Sequence, residues 1–211
     1  MDNLCPLCGS SHVGSYYQHI DAHYYDCKQC QFIFTLPAFY LDADSEKSRY
    51  DQHKNDPNDA NYRAFLAQVY DPVVARLSPG AQGLDFGCGP GPTLSMMFEE
   101  AGYQVDLFDK YYADNPQVFS RQYEFITATE VAEHLQSPGW ELDRLFHLLK
   151  PGGVLAIMTK TYDQVPDFSQ WYYKDDPTHI GFFHSNTMKF LARQWDAELD
   201  LVSDNVALFH R

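Results

Sequence analysis

The spacing of apolar positions changes period at about residue 78. Between 60 and 77 apolar side chains recur at Phe65, Val69, Val73 and Leu77, a helical spacing that Pro72 is expected to kink or restart. After Ser78-Pro79-Gly80, short apolar runs alternate with helical stretches. The runs 83–86, 103–108, 123–127 and 154–158 predict strands. The segments 92–101, closed by Gly102, and 140–149, stopped before Pro151-Gly152-Gly153, predict helices. Ser185 or Asn186 is expected to cap a helix running to about Trp195, and 198–202 with 206–209 read as a hairpin around Asp204-Asn205. Alternation of this kind implies an α/β fold: a doubly wound, mostly parallel sheet with an antiparallel hairpin at one edge.

The first 36 residues lack that rhythm. They carry His12, His19 and His23, with short apolar runs at Tyr24-Tyr25 and Phe32-Ile33-Phe34 that suit the strands of a small ribbon. Cys5, Cys8, Cys27 and Cys30 form a C-x2-C-x18-C-x2-C pattern, with Pro6 and Gly9 placed for a tight knuckle. Tetrahedral zinc takes four thiolates, and a full thiolate shell leaves no open position, so a structural Zn2+ site is expected. A piece this short cannot bury enough surface to fold alone, and a metal would supply the difference. A redox dithiol is the alternative. The fifth cysteine, Cys88, reads as a small residue packed in a turn. Residues 37–59 are polar and read as a linker or lid with a short helix around 46–53, where Tyr50, His53 and Asn55 offer hydrogen bonds to a ligand. The expected division is therefore a zinc ribbon over 1–36, a linker or lid over 37–59 and an α/β domain over 60–211.

Charge narrows the partners. The formal net charge is −14, with no run of Lys or Arg, and a surface this acidic repels a phosphate backbone. The ribbon itself sets Asp2, Asp21 and Asp26 against Lys28, a net of −2. No apolar stretch approaches the ~18 residues of a membrane span, and no secretion signal is visible. A cytoplasmic location is expected; the oligomeric state is left open.

Gly87, Gly89 and Gly91 lie between a predicted strand and a predicted helix. Glycines there let backbone N–H groups and a helix N-terminus approach a ligand. Asp109 closes the next strand about 20 residues on, where a carboxylate can accept both ribose hydroxyls of a nucleoside. A dinucleotide site or a purely structural turn would use the same glycines.

The surrounding words carry a family resemblance. Leu84-Asp85-Phe86-Gly87-Cys88-Gly89-Pro90-Gly91 resembles the first motif of class I S-adenosylmethionine-dependent methyltransferases, which share a Rossmann-like fold. The stretch from Phe125 to Leu135 resembles their segment after the fourth strand, and Leu149-Lys150-Pro151-Gly152-Gly153 their turn before the fifth. Asp176 to Phe183 is similar to a loop of the ubiquinone-biosynthesis-like subset. The resemblance spans about 78–211 and does not specify the substrate.

It implies that Asp85, Gly87, Gly89 and Gly91 meet the methionine end and ribose of S-adenosylmethionine. It further implies that Asp109 holds the ribose, that Thr129 and Glu130 border the sulfonium, and that S-adenosylhomocysteine is the product. Only about fifteen residues separate Asp109 from Phe125, where the family fits a further strand, a helix and an acid for the adenine amine. The adenine anchor is thus unassigned, with Tyr111 or Tyr112 as candidates to cover the ring. His134 and His179 are candidates to line the acceptor site or act as base, and His184 a weaker one. The expected function is methyl transfer to a small molecule. The alternatives are an RNA methyltransferase, or a non-catalytic zinc-ribbon protein that binds S-adenosylmethionine.

Overall fold

The structure is a computed structural model that describes residues 4–20, 22–52 and 55–211. Asp2, Asp21 and His53 lie outside these residues. The main sheet grows from strands that are apolar on both faces, as expected where helices cover both. β4 (Gln82–Phe86), β5 (Gln104–Phe108), β6 (Tyr123–Thr129) and β7 (Leu149–Met158) are parallel to one another, and β10 (Val206–His210) and β9 (Glu198–Leu201) complete the edge as an antiparallel hairpin. The strand order is β5-β4-β6-β7-β10-β9.

Alternation along β7 divides the core. Val154, Ala156 and Met158 meet α2 (Ala60–Val74) and α3 (Thr93–Glu100) through Leu66, Val69, Val73 and Phe98. Leu155 and Ile157 face α4 (Pro138–His147) and α5 (Ser185–Trp195), packing with Leu142, Leu145 and Leu191. Pro72 does not break α2, contrary to the expected kink or restart. It stands in the last turn, where its missing N–H costs one bond rather than splitting a ladder. The cap of α5 also differs from expectation: His184 Nδ1 accepts the Asn186 N–H at 3.0 Å, so His184 is N-cap and Ser185 the first helical residue.

The short segment after Asp109 holds no strand. A turn at Pro116–Ser120 presses Phe119 against Phe86 and Phe108, which leaves β5 as the sheet's edge.

The cysteine-bearing residues form β1 (Val13–His19), β2 (Ala22–Cys27) and β3 (Ile33–Thr35), an antiparallel ribbon. A fourth strand, β8 (Gly181–Phe182), joins it from the far end of the chain, pairing Ile33 with Phe182 and Phe34 with Gly181. Cys5, Leu7, Cys27, Cys30, Phe32 and Phe34 belong to the same apolar cluster as Leu142, Phe183 and Met188. The first knuckle also touches α4 directly: Gly139 N–H donates to the Pro6 carbonyl at 3.2 Å, and a Cβ at Gly139 would sit 2.1 Å from the Leu7 oxygen. Ribbon and sheet therefore share one core.

Candidate active site

A cavity of about 690 Å³ opens at the C-terminal ends of β4, β5 and β6. That volume lies within the range of small-molecule and cofactor pockets, and the place is where open parallel sheets bind ligands. Gly87 and Gly89 take left-handed conformations (φ +76° and +63°), and a Cβ on Gly87 would strike Val131. Gly91 is pinned from outside, its Cβ position 2.4 Å from the Asn55 carbonyl oxygen.

Three of the turn's N–H groups are spent inside the protein. Gly87 and Cys88 donate to the Phe108 carbonyl at 2.7 and 3.2 Å, and Gly89 donates to Asp109 at 3.0 Å. Asp109 also accepts from Tyr111 and Tyr112 N–H at 2.8 and 3.1 Å. With three backbone donors its carboxylate is rigidly aimed, and its remaining lone pairs can take a diol. A pyrophosphate would need the very N–H groups this turn has used internally.

Asp85 is buried beneath the turn, and burial raises its pKa to about 6, against the Thr127 hydroxyl donating at 2.8 Å. Glu130 stands at φ +52°, held by its N–H to the Met158 carbonyl. Burial, with the Glu133 charge, raises its carboxyl to about 8. Beside it, Thr129 Oγ1 is buried with no hydrogen-bond partner among the described residues. A buried carboxyl with a raised pKa and a hydroxyl short of a partner, both on the cavity wall, are groups a polar ligand would satisfy.

The next turn brings together Glu133, His134 and His179, whose ligating atoms lie within 4.8 Å of one another. Glu133 is fully buried; the Tyr173 hydroxyl donates to one oxygen, and Oε2 has no hydrogen-bond partner among the described residues. His134 Nδ1 faces the Thr178 carbonyl at 2.9 Å, and His179 Nδ1 faces the Tyr173 carbonyl at 2.6 Å. A carbonyl can only accept, so each Nδ1 carries the proton and each Nε2 is the ring's basic nitrogen, that of His134 lying 4.0 Å from Glu133 Oε1. Burial holds the His179 pKa below its ordinary value, against the neighbouring Glu133 charge, which favours the neutral base.

α1 (Ala43–Tyr50) covers the cavity from the polar segment. Its buried Glu46 accepts from Lys110 at 2.8 Å, Tyr111 at 2.7 Å and Tyr50 at 2.9 Å, and Arg49 reaches Asp176 at 3.0 Å. One helix thus ties the turn after Asp109 to the loop that carries His179.

In the ribbon, the Sγ atoms of Cys5 and Cys30 are 3.7 Å apart and those of Cys8 and Cys27 3.5 Å, all four within 4.8 Å of each other. Zn–S bonds of about 2.3 Å in a tetrahedron place sulfurs about 3.8 Å apart, so the donor set fits zinc.

A sequence profile described as a methyltransferase domain matches residues 59–202, more than half of the chain. The chain belongs to the methyltransferase-domain family. The ubiquinone biosynthesis O-methyltransferase of Klebsiella pneumoniae (strain 342) is 29% identical over 86 residues, covering 41% of this chain and 36% of that protein. The malonyl-[acyl-carrier protein] O-methyltransferase of Enterobacter lignolyticus (strain SCF1) is 26% identical over 151 residues, 61% of this chain and 60% of that one. The chain spans about a third of the length of the ubiquinone-biosynthesis relatives it matches. Among solved structures, a Burkholderia thailandensis 1,6-didemethyltoxoflavin-N1-methyltransferase with bound S-adenosylhomocysteine aligns with a TM-score of 0.55 at 14% identity, over 93% of this chain and 98% of that one. The fold is therefore the Rossmann-like one expected of the family.

Within this methyltransferase domain the structure gathers Asp85, Gly87, Gly89, Gly91, Asp109, Thr129, Glu130, His134 and His179 around one cavity, whose lining also includes Tyr50 and Asn55. His184 is elsewhere, occupied as a helix cap. Tyr111 and Tyr112 line the cavity, but their hydroxyls are tied to Glu46 and Asp51 of the lid side. Sequence reasoning missed Glu133, Tyr173 and Glu46. Glu133 was visible only as a letter of a motif, and the other two act through contacts distant in sequence.

Proposed function

We propose that this chain binds S-adenosylmethionine and transfers its methyl group to a small-molecule acceptor. One observation carries the reading: a single cavity joins the glycine turn and aimed Asp109 at one end to Glu133, His134 and His179 at the other. Asp85, Gly87, Gly89 and Gly91 border the methionine and ribose, Asp109 takes the ribose hydroxyls, and Thr129 with Glu130 faces the methionine end. When bound, the sulfonium supplies an activated methyl group. The chain then has to place the acceptor in line, exclude water and take up a proton. His179 Nε2 and His134 Nε2 are the atoms that hold that proton, with Glu133 balancing the charge. The names of the relatives support an O or N acceptor, and the net charge of −14 argues against RNA.

The unpartnered Glu133 Oε2 favours a second reading of the acceptor end, in which Glu133, His134 and His179 share a divalent cation that lowers the acceptor's pKa. Turnover that vanishes with EDTA and returns with the metal selects this form; turnover indifferent to EDTA selects the imidazole base. Cys5, Cys8, Cys27 and Cys30 hold a structural zinc. Among the described residues no helix is long and apolar enough to cross a membrane.

The test is to incubate the protein with methyl-labelled S-adenosylmethionine and a cell extract divided into metabolite, protein and RNA fractions. Label is expected among metabolites. Label in RNA would overturn the acceptor class, and binding without label in any fraction would make the chain a cofactor-binding protein instead.

A further inference from the structure

We propose that Glu141, on the first turn of α4, accepts a hydrogen bond from the exocyclic amine of the cofactor's adenine and so selects an aminopurine. This rests on the cofactor reading above and assigns the end of the cavity that sequence reasoning left open. Between Tyr112 and Thr129 no residue lines the cavity, because the segment after β5 turns away and spends Phe119 on Phe86 and Phe108. Beyond Asp109 the wall instead passes through Phe108, Leu135, Ser137, Trp140 and Glu141. The apolar members suit a flat ring.

Glu141 is a half-buried carboxylate on that wall. No described residue donates a hydrogen bond to its side chain, and burial pushes its pKa up, with Arg144 and Lys110 offsetting this only in part. Arg144 does not turn to pair with it. The guanidinium lies over the Phe119 ring at 3.6 Å and the Trp140 ring at 4.5 Å, bracing the indole at the cavity mouth. A half-buried carboxylate with no protein donor is open to a donor that a ligand brings, and ligand binding that excludes the remaining water makes that pairing count. An amine on the purine does so; a purine bearing an oxo group there would set lone pairs against the carboxylate. Loss of a paired polar contact is the kind of difference binding sites discriminate best.

The experiment is calorimetric titration of the full chain with S-adenosylhomocysteine and with S-inosylhomocysteine, which carries oxygen in place of the amine. The wild type is expected to prefer the adenosyl compound by about tenfold or more. Glu141→Ala should bind it about tenfold more weakly, with inosyl affinity unchanged, so that the preference disappears. Glu141→Gln, nearly isosteric and able to donate to the oxo group, should shift the preference toward the inosyl compound. A Glu141→Ala protein that keeps the wild-type preference, or loses both ligands equally, would overturn the assignment. A wild type that binds neither compound would overturn it together with the cofactor reading.

Discussion

Asp109 organises its surroundings as much as it serves a ligand, since the N–H groups of Gly89, Tyr111 and Tyr112 converge on its two oxygens. Asp109→Asn removes the charge and replaces one acceptor by a donor facing an N–H. It is expected to weaken S-adenosylhomocysteine binding at least about tenfold by calorimetry and to lower stability by about 1–2 kcal/mol in denaturant titration. Glu130 makes a pH prediction. Its folded pKa is raised from 4.5 to about 8, so the protonated form is favoured by folding. The associated stability is whole below about pH 4.5 and is lost as pH climbs toward 8. In ligand-free protein the wild-type Tm should therefore fall between pH 5 and 8 relative to Glu130→Gln, and parallel curves would refute this. At this scale the glycines, Asp109, Thr129 and Glu130 were legible because they lie in contiguous words beside strand ends. Glu133's unmet oxygen and the Tyr173 contact were not, because both arise only when the loop at 173–179 folds back.

At the scale of elements, the parallel strands and most helices were readable from period, since their apolar runs are set by burial on two faces. β8 was not: two residues carry no period, and Gly181–Phe182 becomes a strand only by pairing with β3. The same pairing brings Ile180 N–H to the Glu133 carbonyl at 2.9 Å, so the ribbon braces the loop that carries His179. The other brace is the contact of Gly139 with the first cysteine knuckle. Gly139→Ala would drive a methyl group into the Leu7 carbonyl, 2.1 Å away. Overpacking of this kind is expected to cost about 1–3 kcal/mol, read as a lower denaturant midpoint at unchanged m-value.

For the whole molecule, the ribbon and the methyltransferase domain stand or fall together because Cys5, Cys27 and Cys30 are buried in the same cluster as Phe183 and Leu142. Elemental analysis of the purified protein should find about one zinc per chain. Chelation or Cys27→Ser should lower the Tm of the domain as a whole and reduce methyl transfer more than cofactor affinity, since the ribbon touches the His179 side of the cavity. The fold class was legible from the sequence; this merging was not, because composition marks the ribbon as separate and only tertiary pairing joins it. The central claim is that the cavity built on Gly87, Gly89, Gly91 and Asp109 is a nucleoside site without a phosphate cradle. Calorimetric titration of the full chain with S-adenosylhomocysteine, set against NAD, tests it most directly. The account predicts one site per chain for S-adenosylhomocysteine, with a Kd in the roughly micromolar to millimolar range usual for enzyme ligands, and no measurable binding of NAD. Tight binding of NAD with none of S-adenosylhomocysteine would contradict it.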